Sequence, residues 1–166
     1  MMEPICPQCG RDFVQRSRCE GLLEQLLRLI YVYPFRCQLC MHRFRIMQWG
    51  KPYVKDADDK RQYKRIEAHI PITFAGDRIE GDGVVKDISM GGCGLELAAE
   101  TQVPTGALLE LRLRISDQEP PVIVEAATVR VARPKFLGVQ FLRLQPRDRE
   151  RLSQFIGELM IIARRA

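Results

Sequence analysis

The chain has 166 residues, is 46% hydrophobic and carries a formal net charge of +5, enough for one medium domain or a small module plus one domain. No run of about eighteen apolar residues is available to span a membrane, and the opening "MMEPICPQCG", with an early acid and a cysteine pair, is unlike a signal peptide, so a cytoplasmic protein is expected. The charge divides into +3 over the first fifty residues and +2 over the rest without a dense Lys/Arg patch, which leans toward anionic partners but does not favour duplex DNA.

The first element is a cysteine module spanning residues 1–50. Five of the six cysteines fall in the first forty residues, and "CPQC" (Cys6, Cys9) with "CQLC" (Cys37, Cys40) forms a C-x2-C…C-x2-C set. Two thiolates at that spacing converge on one metal from a tight turn, and two such turns complete a tetrahedron, the pattern of a structural zinc ribbon. Gly10 suits the left-handed backbone that such a turn requires. Four thiolates leave no open position, so the zinc is expected to be structural; the spacing alone does not separate it from iron. Disulfides are disfavoured by the expected compartment, and no βαβ context supports a thioredoxin-type pair. Residues 10–36 make a longer insert than usual, with room for a helix through Leu22, Leu23, Leu26, Leu27 and Ile30. Cys19 has no partner knuckle, His42 and His69 are isolated, and Trp49 is a candidate anchor between modules. Arg11, Arg16, Arg18 and Arg36 give a zinc-ribbon nucleic-acid regulator some support, although a solvated basic face explains them equally well.

Residues 51–60, "KPYVKDADDK", alternate in charge and read as a linker to a domain over 61–166. There the pattern changes to strands. "AHIPITFA", "EGDGVVKDIS", "CGLELAA", "ALLELRLRIS", "PPVIVEAATVRVAR" and "KFLGVQFLRL" are separated by Gly-Asp, Gly-Gly, Pro-Thr-Gly, Pro-Pro and Arg-Pro turn signals. Leu109, Leu111, Leu113 and Ile115 alternate with Glu110, Arg112 and Arg114, so one face is buried. Six short strands predict a small antiparallel β-barrel, whose closure removes exposed edges. An amphipathic helix follows Pro146, with Leu152, Phe155, Ile156, Leu159 and Met160 at helical spacing. Cys93 is expected to be a buried, inert thiol.

Two short motifs flank the first strands. "RQYKR" places Arg61 and Arg65 four residues apart, and "DISMGG" supplies Asp87, Ser89 and Gly92. Each is weak alone, since paired arginines and Asp-Ser-Gly turns are common. In this order, ahead of a small barrel, they resemble the signature of the PilZ domain family, R-x-x-x-R followed by [D/N]-x-S-x-x-G. "FLGVQFLRL" and the C-terminal helix are also similar to that family, over about residues 60–160.

The resemblance implies a receptor for cyclic di-GMP, with Arg61, Arg65, Asp87, Ser89 and Gly92 as ligand-binding residues. The chemistry is compatible: an arginine fork bonds a phosphate or guanine O6 and N7 and stacks on a base, and a carboxylate accepts from guanine N–H donors. Lys60 stands where another arginine is common, which leaves one or two ligands per chain open. The expected protein is a non-enzymatic effector in which captured ligand reorients the zinc ribbon toward a protein partner. The alternatives are a nucleic-acid-binding regulator and a protein-docking adaptor, each with the barrel as scaffold. No nucleophile beside a base suggests catalysis.

Overall fold

The computed structural model describes residues 4–50 and 62–165. The linker 51–60 and Arg61 therefore lie outside the described residues. The chain divides into two compact units, Met1–Lys64 and Arg65–Ala166.

The N-terminal unit is built on a three-stranded antiparallel sheet in the order β1 (Val14–Arg16), β2 (Val32–Cys37), β3 (Arg43–Met47). Between β1 and β2 runs a short helix, α1 (Gly21–Leu27), continued by a 3-10 turn over Arg28–Ile30. Tyr33, Phe35, Cys37 and Leu39 are buried and form the small core. The expected helical insert is present, but its polarity is inverted. The residue of α1 that faces inward is Glu24, 4% exposed, while Leu22, Leu23 and Leu26 face outward. The reason lies outside the helix. Glu24 Oε2 accepts from the Glu20 amide and from Arg43, each at 2.6 Å, and Oε1 accepts from Arg45 at 3.2 Å. A buried carboxylate needs such partners, and β3 supplies both guanidinium groups. Trp49 is exposed and lies against Tyr31, ring centroids 5.2 Å apart, within this same unit.

The C-terminal unit is a closed six-stranded antiparallel barrel. Its strands are β4 (Ile66–Gly76), β5 (Ile79–Ser89), β6 (Gly92–Leu97), β7 (Leu108–Leu113), β8 (Val122–Arg133) and β9 (Phe136–Leu144), ordered β4-β5-β6-β9-β8-β7 and closed by β7 on β4. Alternation drives it: in β7, Leu109, Leu111 and Leu113 are buried whereas Arg112 is exposed. Ile72, Val85, Leu95, Val124, Val129 and Val139 complete the interior, each such side chain contributing roughly 1.5–3 kcal/mol relative to exposure. Helix α2 (Pro146–Arg165) begins at the expected proline and packs on β4 and β8 through buried Leu152 and Ile156. Among the described residues, no helix is long and apolar enough to cross a membrane.

Candidate functional site

The two cysteine knuckles are built alike. The Cys6 amide donates to the Arg11 carbonyl at 2.9 Å, and the Cys37 amide donates to the His42 carbonyl at 2.9 Å, five residues on in both cases. In each, the residue after the second cysteine has a positive φ: Gly10 at +69° and Met41 at +64°. The left-handed step lets the chain fold back so that both thiols point to one centre. Consequently the four Sγ atoms lie within 4.8 Å of one another, with Cys6–Cys40 at 3.5 Å and Cys9–Cys37 at 3.6 Å. A tetrahedral ion with metal–sulfur bonds of about 2.3 Å separates its sulfurs by about 3.8 Å, so the cage has the right size for zinc, or for iron. Burial pushes the Cys37 and Cys40 thiols up. At Cys6 burial also raises the thiol, but hydrogen bonds from the Cys9 and Gln8 backbone and the neighbouring thiols bring it below the usual value. A bound cation would favour the thiolate form of all four. Cys19 is outside this cluster, and the His42 ring stacks on Phe44 at 5.9 Å.

On the barrel, Arg65 and Asp87 meet. Arg65 lies immediately before β4, and Asp87 lies near the end of β5, opposite Glu67 in the strand register. Arg65 Nη1 donates to Asp87 Oδ1 at 2.7 Å, and the same oxygen accepts from the Gly94 amide at 3.2 Å. Both side chains are only partly exposed, so the pair adds at most about 1 kcal/mol to stability. Its larger effect is orientation, because it fixes a guanidinium whose remaining donors exceed what one carboxylate oxygen uses.

Ser89 and Gly92 take structural partners. Ser89 Oγ is buried, donates to the Gly92 carbonyl at 3.1 Å and accepts from the Gly91 amide at 3.3 Å, closing the β5–β6 turn. Gly92 has φ +156°, and a Cβ there would stand 2.2 Å from the Val139 carbonyl oxygen, so glycine is demanded by the approach of β9. These two residues shape the turn that carries Asp87. Cys93 follows them, fully buried, its thiol pushed up to about 12 by burial.

Residues outside the two motifs complete the neighbourhood. Gly94, itself buried, pairs with Asp87 on one side and with Gly138 on the other. A Cβ on Gly94 would come within 3.0 Å of both Asp87 Oδ2 and Phe136 Cζ, so the carboxylate and the aromatic ring together cover this glycine. An open concavity of about 550 Å³ lies elsewhere on the barrel, lined in part by Glu80, Asp82, Glu110 and Arg112, and holds no motif residue.

The segment between the motif arginines has partners in the N-terminal unit. Arg36 donates to Tyr63 Oη at 3.2 Å with its guanidinium 5.7 Å from the ring centroid, and the Lys64 amide donates to buried Gln38 Oε1 at 2.7 Å.

A family model described as the PilZ domain matches residues 59–158. The chain is similar in structure to the inhibitor of motility (MotI/DgrA) of Bacillus subtilis, at 17% identity and TM-score 0.52, covering 78% of this chain and 72% of that one. It is also similar to the PilZ domain of YcgR from Escherichia coli, solved with c-di-GMP, at 18% identity and TM-score 0.51, covering 64% of this chain and 95% of that one. At these identities the likeness is one of fold. No curated protein matches the sequence.

Proposed function

The chain belongs to the PilZ domain family, and on that premise we propose that it is a non-enzymatic, cytoplasmic effector that binds cyclic di-GMP. The observation that carries this reading is the Arg65–Asp87 pair, its carboxylate held in turn by the Gly94 amide. Arg65 keeps donors for a phosphate or a guanine edge while Asp87 steadies it. Asp87 Oδ2, over Gly94, is placed to accept from a guanine N–H. Arg61 completes the two-armed grip that the family motif describes. Ser89 and Gly92 contribute by holding the turn rather than through long side chains.

Cys6, Cys9, Cys37 and Cys40 would hold a structural zinc, which supplies cross-linking of the two knuckles and no open position for chemistry. We read residues 51–60 as the tether between a ribbon module, 1–50, and a PilZ domain, 61–166. Output then follows from chain adjacency. Tyr63 and Lys64 are held by Arg36 and Gln38 of the ribbon, and the very next residue is Arg65. A ligand that draws Arg61 and Arg65 toward itself also acts on these contacts, reorienting the ribbon in favour of a protein partner. An apolar rather than basic outer face on α1 favours protein docking over nucleic acid.

Calorimetry with cyclic di-GMP, using GTP and cyclic GMP as controls, tests the reading. Arg65→Ala should weaken binding by about 1.5–3 kcal/mol, and Arg65→Lys should rescue it poorly because an ammonium cannot form the fork. Undiminished binding in the Arg61→Ala/Arg65→Ala variant would move the site elsewhere.

A further inference from the structure

The outward face of α1 and the turn after it carries Leu22, Leu23, Leu26, Leu29 and Ile30, each more than half exposed, with Trp49 beyond them against Tyr31. The exposed parts of the five residues on the helix and turn amount to roughly 600 Å², at the top of the range for the largest apolar patch of a typical monomer and at the low end of one partner's share of a standard interface. This exposure is imposed. Turning the helix half a revolution would bury the leucines, but it would also strip Glu24 of Arg43, Arg45 and the Glu20 amide. The ion cluster thus holds the stripe toward solvent, and association would bring the return on that arrangement.

The stripe also has a symmetry. Its apolar positions lie three and four residues on either side of Leu26: Leu23 and Leu22 before it, Leu29 and Ile30 after it. In an antiparallel helix pair about a twofold axis through Leu26, each residue before that point faces the one equally far after it. Leu22 would meet Ile30 and Leu23 would meet Leu29, with Leu26 against its own copy. Glu24 and Arg28, two residues to either side, fall off the stripe. An isologous interface requires this self-complementarity, whereas a different protein or a lipid surface does not.

We propose that the leucine face of α1 is a homodimer interface in which α1 of one copy packs antiparallel on α1 of a second copy, centred on Leu26. The assignment rests on the N-terminal unit alone and is independent of ligand binding by the barrel.

Sedimentation analysis of the full, zinc-loaded chain over a concentration series tests it. A reversible dimer is expected, and Leu26→Glu should raise its dissociation constant by about a hundredfold or more, since the change enters the centre of the interface twice. Zinc content should be retained. If Leu26→Glu loses zinc, Leu29→Lys replaces it and should also dissociate the dimer. In a Cys19→Ser background, Leu26→Cys should form an intermolecular disulfide on mild oxidation, because that position meets itself, while Gln25→Cys should cross-link far less. A monomer at all concentrations, or a dimer that both charge variants leave intact, would overturn the proposal. So would an intact chain that stays monomeric but co-sediments with anionic phospholipid vesicles.

Discussion

The two units obey opposite rules about what belongs inside. The barrel follows hydrophobic alternation, with Leu109, Leu111 and Leu113 inward and the Arg65–Asp87 pair at the surface. The ribbon buries a carboxylate and turns leucines outward. Size explains much of the contrast. A closed six-stranded barrel encloses enough apolar area to stabilise itself, whereas a unit with so few buried side chains around a short sheet needs a cross-link. A metal held by the four thiols would supply that link and release the apolar residues of the helix from core duty.

The largest expected effect separates the units outright. Stripping the metal, or replacing Cys9 with Ser, should remove binding energy on the order of 10 kcal/mol that is also folding energy for the ribbon. Hydrogen exchange should then rise across residues 4–50 while protection in β4–β9 persists. An N-terminal unit still protected after complete chelation would show that its fold does not depend on a metal. Next, Glu24→Ala should cost about 1–3 kcal/mol of stability in the N-terminal unit, because Arg45 loses its carboxylate and Arg43 keeps only Glu20 and the Arg18 carbonyl. Denaturation monitored by Trp49 fluorescence checks it, and a neutral result would mean that the cluster does not set the helix orientation.

In the barrel the same kind of loss comes from apolar truncation. Leu111→Ala should cost about 2–5 kcal/mol by calorimetric melting with zinc content unchanged. The smallest effect is an absence of reaction. Cys93, pushed up to about 12 by burial, remains a thiol near neutral pH and should resist alkylation in the folded, zinc-loaded chain. Its folded value lies above the unfolded one, so its contribution to stability is present below the unfolded pKa and is lost as pH rises through about 12. Mass spectrometry after iodoacetamide treatment reads this directly. Rapid labelling of Cys93 in the native state would show that the barrel opens at β6.

What could be read from the sequence was local. Period-two runs between turn signals marked all six barrel strands, Pro146 marked the start of α2, and C-x2-C spacing marked the four-cysteine cluster. What could not be read depended on distant partners. Leucines at helical spacing reveal a stripe but not the direction it faces, and that direction is set by Arg43 and Arg45 some twenty residues further on. The same holds at the motif. Asp87, Ser89 and Gly92 look equivalent along the chain, yet cross-strand register assigns them an ion pair, a turn closure and a close strand approach. Gly94 and Phe136 belong to no motif, and only the pairing of β5, β6 and β9 brings them beside Asp87.

The boundary between the units also bears on how such a protein can be rearranged. Lys64 belongs to one compact unit and Arg65 to the other, so the division between the units runs inside "RQYKR". A barrel cut cleanly at the seam would leave Arg61, Tyr63 and Lys64 behind with the ribbon. A different N-terminal module grafted onto this barrel would therefore have to bring its own counterparts of Gln38 and Arg36, or leave the residues between the motif arginines unanchored. The residues between the motif arginines are thus tied to the N-terminal unit through Tyr63 and Lys64.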